Sequence, residues 1–100
     1  MVIQKAAVIG GGSFGTVVAN ILADNQIHTV QWMRNDEVAR CINEQHSNPQ
    51  YLPGVTLNPS LTATTDLLAA VRGAEVIFVS VPSKSVREVV SSFAAELTPD

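Results

Sequence analysis

Apolar residues fall in short runs separated by polar and glycine-rich breaks, and the period of the runs alternates along the chain. Ala6-Ala7-Val8-Ile9, with Val2-Ile3 before it, predicts a buried strand over residues 3–9. Residues 14–24 then carry Ala19, Ile21, Leu22 and Ala23 in a helical pattern. Thr29-Val30-Gln31-Trp32-Met33 predicts a second strand. A helix over 36–44 follows, with Val38, Cys41 and Ile42 on one face. Residues 46–61 read as irregular because they hold Pro49, Pro53, Gly54 and Pro59. A short strand over 61–64 comes next, then Asp66 as the N-cap of a helix reaching Arg72. Val76-Ile77-Phe78-Val79-Ser80-Val81 is the clearest strand of all, and Pro82 stops it. Over 84–97, Val86, Val89, Val90, Phe93, Ala94 and Leu97 form one helical stripe.

The break between the first strand and the first helix is the most informative one. It reads Gly10-x-Gly12-x-x-Gly15, directly after a strand pattern and directly before a helical one. This is the glycine pattern with which Rossmann domains hold a dinucleotide pyrophosphate. Gly10 permits the tight turn, Gly12 lets the backbone approach the phosphates, and Gly15 lets the helix pack close. Unpaired N–H groups and the helix dipole then favour an anion at the helix start. With alternating strands and helices, the expected fold is α/β: a Rossmann-type parallel sheet flanked by helices. In the order 3-2-1-4-5-6 the strand at 76–81 is the fourth. It is apolar on both faces, as buried parallel strands are. A fifth strand is not legible before Asp100, which leaves an apolar edge that proteins normally cover. The expectation is therefore an incomplete domain over residues 1–100, truncated after the fourth strand and its helix. The alternative is a partner chain on that edge.

Composition narrows the partners. The 100 residues have no apolar stretch near the ~20 of a membrane span and no signal peptide pattern. A net charge of −3 argues against nucleic acid as a general partner. Cys41 is the single cysteine, so neither an intrachain disulfide nor a thiol metal cluster is expected. His28 and His46 have no ligand-spaced companions, so no metal is expected. Together these features predict a cytoplasmic protein. No Ser-His-Asp or Cys-His arrangement is legible.

Five segments carry a family resemblance: Gly-Gly-Gly-Ser-Phe-Gly-Thr from Gly10, Val-Gln-Trp-Met-Arg-Asn from Val30, Ile-Asn-Glu…Asn-Pro-Gln-Tyr-Leu-Pro-Gly from Ile42 to Gly54, Leu-Thr-Ala-Thr-Thr-Asp-Leu from Leu61, and Val-Ser-Val-Pro-Ser from Val79. With these the chain resembles the bacterial NAD(P)-dependent glycerol-3-phosphate dehydrogenases over nearly its whole length. Tyr51-Leu52-Pro53-Gly54 is the more specific signature, since other Rossmann enzymes lack it. Gly11 departs from the family's frequent alanine, and both are small. The resemblance implies hydride transfer between NAD(P)H and dihydroxyacetone phosphate, giving sn-glycerol 3-phosphate for phospholipid synthesis. It also implies that the catalytic lysine and a helical substrate domain lie beyond the position matching Asp100. No catalytic residue is therefore assigned here. The small phosphorylated substrate is a partner of the full-length enzyme, and a homodimer is among the expected assemblies. The competing readings are the cofactor domain of another dehydrogenase, of hydroxyacid or ketopantoate type, and a non-catalytic dinucleotide-sensing module.

The candidate cofactor residues are Gly10, Gly11, Gly12, Ser13, Phe14, Gly15, Arg34, Asn35, Tyr51 and Pro82. Family counterparts of Ser13 and Phe14 contact the cofactor, whereas the plain reading of Ser13 is a helix cap. Rossmann domains that bind NAD often place an acid after strand two, but here that place falls near Met33. Arg34 and Asn35 follow. An arginine there pairs with a 2′-phosphate or stacks on adenine, or it is a solvated loop charge. The expected cofactor is thus NADP or NAD, with NADPH favoured. Tyr51 either approaches the cofactor or packs under its loop. Pro82 and Ser83 stand at the ligand-binding end of strand four, where Pro82 borders the nicotinamide side or merely stops the strand. Ser85 is weaker. Lys84 and Arg87 read as solvated helix charges, and Trp32 as packing.

Overall fold

The first strand, β1 (Lys5–Ile9), starts where the Glu75 carboxylate takes up the free backbone. Glu75 Oε1 accepts from the N–H of Gln4 at 2.9 Å and of Lys5 at 3.3 Å. The computed structural model describes residues 3–81. The order is β1, α1 (Ser13–Asp24), β2 (His28–Trp32), α2 (Asp36–Gln45), β3 (Thr62–Thr64), α3 (Leu67–Val71) and β4 (Val76–Val79). The expected helix over 84–97, with Lys84, Ser85 and Arg87, lies outside the described residues, as do Pro82 and Ser83.

All strand pairs are parallel, and the order β3-β2-β1-β4 is that of the Rossmann half-sheet. Ile9 pairs with Trp32 and Val79, so three strands end at one edge. α1 and α2 cover one face over Val8, Met33, Leu57 and Leu61, and α3 covers the other over Ala7, Ile9 and Trp32. Ile9, Ile42, Leu57 and Leu61 are fully buried. Each such side chain contributes roughly 1.5–3 kcal/mol. The segment between α2 and β3 is irregular, as expected, but it is not peripheral. Leu57 and Leu61 seal the α1/α2 layer, and Asn48 is completely buried. Asp66 caps α3 as anticipated, accepting from the Ala69 N–H at 3.2 Å.

The two described edges of the sheet differ. At β3, the Asn43 side chain imitates a neighbouring strand. It donates to the Ala63 carbonyl at 2.9 Å and accepts from the Ala63 N–H at 2.8 Å. At β4 the unpaired apolar edge expected from the sequence is present among the described residues. Phe78 is 43% exposed and Val79 36% exposed, because β4 has a described partner only in β1.

Candidate dinucleotide-binding site

The site forms where β1, β2 and β4 end and α1 begins. Gly10 makes the turn with φ +137°, a region that side chains rarely enter. Its N–H donates to the Trp32 carbonyl at 2.8 Å, which ties the turn to β2. A Cβ on Gly10 would lie 1.9 Å from the Ser80 carbonyl oxygen, so glycine is obligatory here. Gly15 is just as confined, with the Gly10 carbonyl oxygen 2.6 Å from where its Cβ would be. This is the close helix packing that the motif predicts. Gly12 is the opposite case. Its φ is an ordinary −74°, and a Cβ would meet nothing within 4 Å. The backbone therefore faces open space at Gly12, as a phosphate-binding turn requires.

Gly12 is also the N-cap of α1, with no side chain satisfying the helix start. Ser13 is the first helical residue rather than the cap, so the capping reading of Ser13 is corrected. The first turn holds no acidic side chain, and its N–H groups remain open to an anion.

A cleft of about 410 Å³ opens beside this turn. Gly10, Gly11, Gly12, Arg34, Asn35 and Tyr51 line it, which unites six of the sequence-derived candidates. Ser13 and Phe14 stand outside it on the exposed helix start, and Gly15 is buried behind the turn. Pro82 lies outside the described residues. Sequence reasoning missed Ser80 and Val81, which close the β4 side, and Met33, Trp32 and Val38 on the β2 side. Their signal was positional: they flank the strand ends that the register brings together.

Four candidates take specific forms. Tyr51 is 45% exposed on the cleft, so it does not pack under its loop. Arg34 is exposed, with its guanidinium carbon 5.9 Å from the Trp32 ring centroid. That is cation–π distance and sets the arginine's direction along the cleft wall. Trp32 is buried, and its Nε1 donates to the Thr65 carbonyl at 3.0 Å, so its packing role holds. Asn35 is the N-cap of α2, where its Oδ1 accepts from Glu37 at 2.8 Å and Val38 at 3.3 Å. Only its amide nitrogen is left for a ligand. Met33, at the place of the usual acid, is buried beneath the turn. A Cβ on Gly11 would come 2.7 Å from Met33 Cβ, so alanine at position 11 is not interchangeable with glycine in this backbone. No group of three or more His, Cys, Asp or Glu side chains gathers among the described residues, and none of their helices is long and apolar enough to cross a membrane.

Comparison with known proteins agrees with this geometry. The enzyme named glycerol-3-phosphate dehydrogenase [NAD(P)+] from Thermobifida fusca is 47% identical over 96 residues, covering 95% of this chain and 29% of its own length. Its namesake from Streptomyces griseus is 49% identical over 96 residues, covering 96% and 29%. The chain thus spans 29% of the length of these relatives. The solved glycerol-3-phosphate dehydrogenase of Saccharomyces cerevisiae superposes with a TM-score of 0.88 at 27% identity, over 97% of this chain and 31% of that one. The Coxiella burnetii enzyme gives 0.88 at 27% identity, over 97% and 30%. A family model described as the NAD-dependent glycerol-3-phosphate dehydrogenase N-terminus matches residues 5–100. The chain therefore belongs to the N-terminal domain family of the NAD-dependent glycerol-3-phosphate dehydrogenases.

Proposed function

We propose that the cleft binds NADP(H) or NAD(H), with NADPH preferred, and that the chain is the cofactor half of a glycerol-3-phosphate dehydrogenase. The whole enzyme would interconvert dihydroxyacetone phosphate and sn-glycerol 3-phosphate and so feed phospholipid synthesis. The carrying observation is the vacant space at Gly12 beside an uncapped helix start with no acid in its first turn. That space suits the pyrophosphate, and the N–H groups of Gly12, Ser13 and Phe14 would hold it. Arg34 would pair with the 2′-phosphate or stack on adenine, while Tyr51 walls the adenosine end. Asn35 offers its remaining amide donor there. Ser80 and Val81 close the cleft where the strand ends converge, and there the nicotinamide ring would supply or accept the hydride. The chain's own part in catalysis is orientation. Holding the donor ring against a substrate converts an encounter into an effectively unimolecular step.

The test uses the full-length protein. NADPH titration should saturate, and dihydroxyacetone phosphate should then be reduced at a rate on the order of 10 s⁻¹, typical of enzymes. A folded full-length protein that binds neither NADPH nor NADH overturns the cofactor reading. One that binds but reduces only 2-ketoacids overturns the substrate assignment alone.

A further inference from the structure

Beneath the glycine turn lies a buried polar cluster drawn from three separate elements: Thr16 on α1, Gln31 on β2 and Asn48 in the loop after α2. All three side chains are completely buried. Gln31 is the penultimate residue of β2, paired on both sides by parallel strands, where an aliphatic residue would extend the core. Each of the three side chains donates to a carbonyl of the turn, and both amides also donate to Thr16. Gln31 Nε2 donates to the Gly10 carbonyl at 2.7 Å and to Thr16 Oγ1 at 3.1 Å. Asn48 Nδ2 donates to the Gly11 carbonyl at 3.1 Å and to Thr16 Oγ1 at 2.9 Å. The Thr16 hydroxyl donates to the Gly12 carbonyl at 2.8 Å.

The accounting closes at the hydroxyl. Its one hydrogen and two lone pairs are all used, and so are both hydrogens of each amide. Flipping either amide would set oxygen against a carbonyl, so the orientations are fixed. The arrangement leaves one group unsatisfied: Gln31 Oε1 is buried without a partner. Such an orphan calls for an explanation. The explanation is what the other end of the amide does.

The Gly10 and Gly11 carbonyls are held by the two buried amides, and the Gly12 carbonyl by both the hydroxyl and the backbone N–H of Thr16. Peptide groups are planar, and none among the described residues is cis. Each inward carbonyl therefore turns the next N–H outward. The N–H groups of Gly11, Gly12 and Ser13 are thus aimed away from the cluster, and those of Gly12 and Ser13 are two of the three proposed to hold the pyrophosphate. A three-glycine turn has wide conformational freedom when unrestrained, and ordering it on binding would weaken affinity.

We infer that Thr16, Gln31 and Asn48 form a buried clamp that presets the anion-binding conformation of the glycine turn. They are positioning residues: they act through the backbone and need not touch the cofactor. Asn48 extends the clamp further. Its Oδ1 accepts from the Tyr51 N–H at 3.3 Å, and its carbonyl accepts from Leu52 at 2.7 Å. One residue thereby fixes both the glycine turn and the loop bearing Tyr51. This inference rests on the cofactor reading given above.

The experiment compares Thr16→Val, Thr16→Ser and Gln31→Met with the parent in the full-length protein. Val nearly matches Thr in volume and removes the hydroxyl, whereas Ser restores it. Affinities for NADPH and for adenosine 2′-monophosphate, which lacks the pyrophosphate, are measured beside thermal melting. Thr16→Val and Gln31→Met should weaken NADPH about tenfold, the equivalent of about one lost hydrogen bond's worth of preset geometry. Binding of the monophosphate should not change, and Thr16→Ser should recover NADPH affinity. Unchanged NADPH affinity in a folded Thr16→Val or Gln31→Met protein overturns the clamp. So does a loss shared equally by both ligands, which marks a purely structural role. If Thr16→Val does not fold, Gln31→Met carries the test. Gly12→Val is the control for the underlying reading: should it still bind NADPH, the phosphate site itself is misplaced.

Discussion

Two connections in this domain have the same length and place but opposite chemistry. Residues 10–12 join β1 to α1, and residues 33–35 join β2 to α2, at the same edge of the sheet. Each delivers the chain to a helix whose first N–H groups lack intrahelical acceptors. After β2 the protein satisfies them itself. Asn35 accepts from Glu37 and Val38, and Asp36 and Glu37 place negative charge in the first turn. After β1 it does not. Two glycines lead to a third that is the cap, without a side-chain acceptor, and to a first turn without an acid. The helix start that is completed internally needs no ligand, and the one left incomplete is the proposed anion site. What distinguishes them is only which side chains are withheld.

The sharpest way to break the comparison is to fill the space at Gly12. Gly12→Val should abolish dinucleotide binding, a loss of more than about a hundredfold, by occupying the pyrophosphate's place. Its Cβ meets nothing within 4 Å, so the fold should survive. Circular dichroism and thermal melting serve as the folding control for an NADPH titration. Gly10→Val should instead prevent folding, because its Cβ would overlap the Ser80 carbonyl. If Gly10→Val folds normally, or Gly12→Val binds normally, the division of roles between these glycines is wrong.

This division explains which parts of the molecule could be read from sequence. β1, α1, β2, α2 and α3 follow from apolar period and from caps such as Asp66, all of them local signals. The glycine turn was legible because its requirement is written into the residue type. The clamp was not. Gln31 looks like one more polar residue in a strand, and Asn48 like part of a proline-rich loop. Their role depends on contacts across 21 and 37 residues, to Gly10 and Gly11. The capping of α2 by Asn35, through Glu37 and Val38, was not anticipated either, although Asn35 does stand on the cleft as expected. The exposure of Phe78 and Val79, by contrast, agrees with the apolar edge that the strand count left open.

The next prediction concerns Arg34, the residue before the N-cap of α2. Arg34→Ala should weaken NADPH by about ten- to hundredfold, the range for a hydrogen bond to a charged group, while NADH affinity falls far less. Parallel titrations with the two cofactors decide it. An equal fall in both means that Arg34 stacks on adenine, its position over Trp32 carried onto the ligand. No change in either means that the preference for NADPH has lost its basis.

The smallest effect should come from Asn35, and it separates capping from ligand contact. Asn35→Ala removes the acceptor for two helix N–H groups and should cost about 1 kcal/mol of stability. Urea denaturation should show this as a lower midpoint with an unchanged slope. Asn35→Asp keeps the cap, since a carboxylate oxygen accepts the same bonds, so stability should stay within a few tenths of a kcal/mol of the parent. It also sets a negative charge beside Arg34, where the 2′-phosphate is proposed to lie. NADPH affinity should then drop severalfold, with NADH unaffected, because only the former brings a second anion to that spot. If Asn35→Asp destabilises as much as Asn35→Ala, the hydrogen bonds to Glu37 and Val38 do not hold α2 in place. The contrast between a self-completed helix start and an open one would then rest on α1 alone.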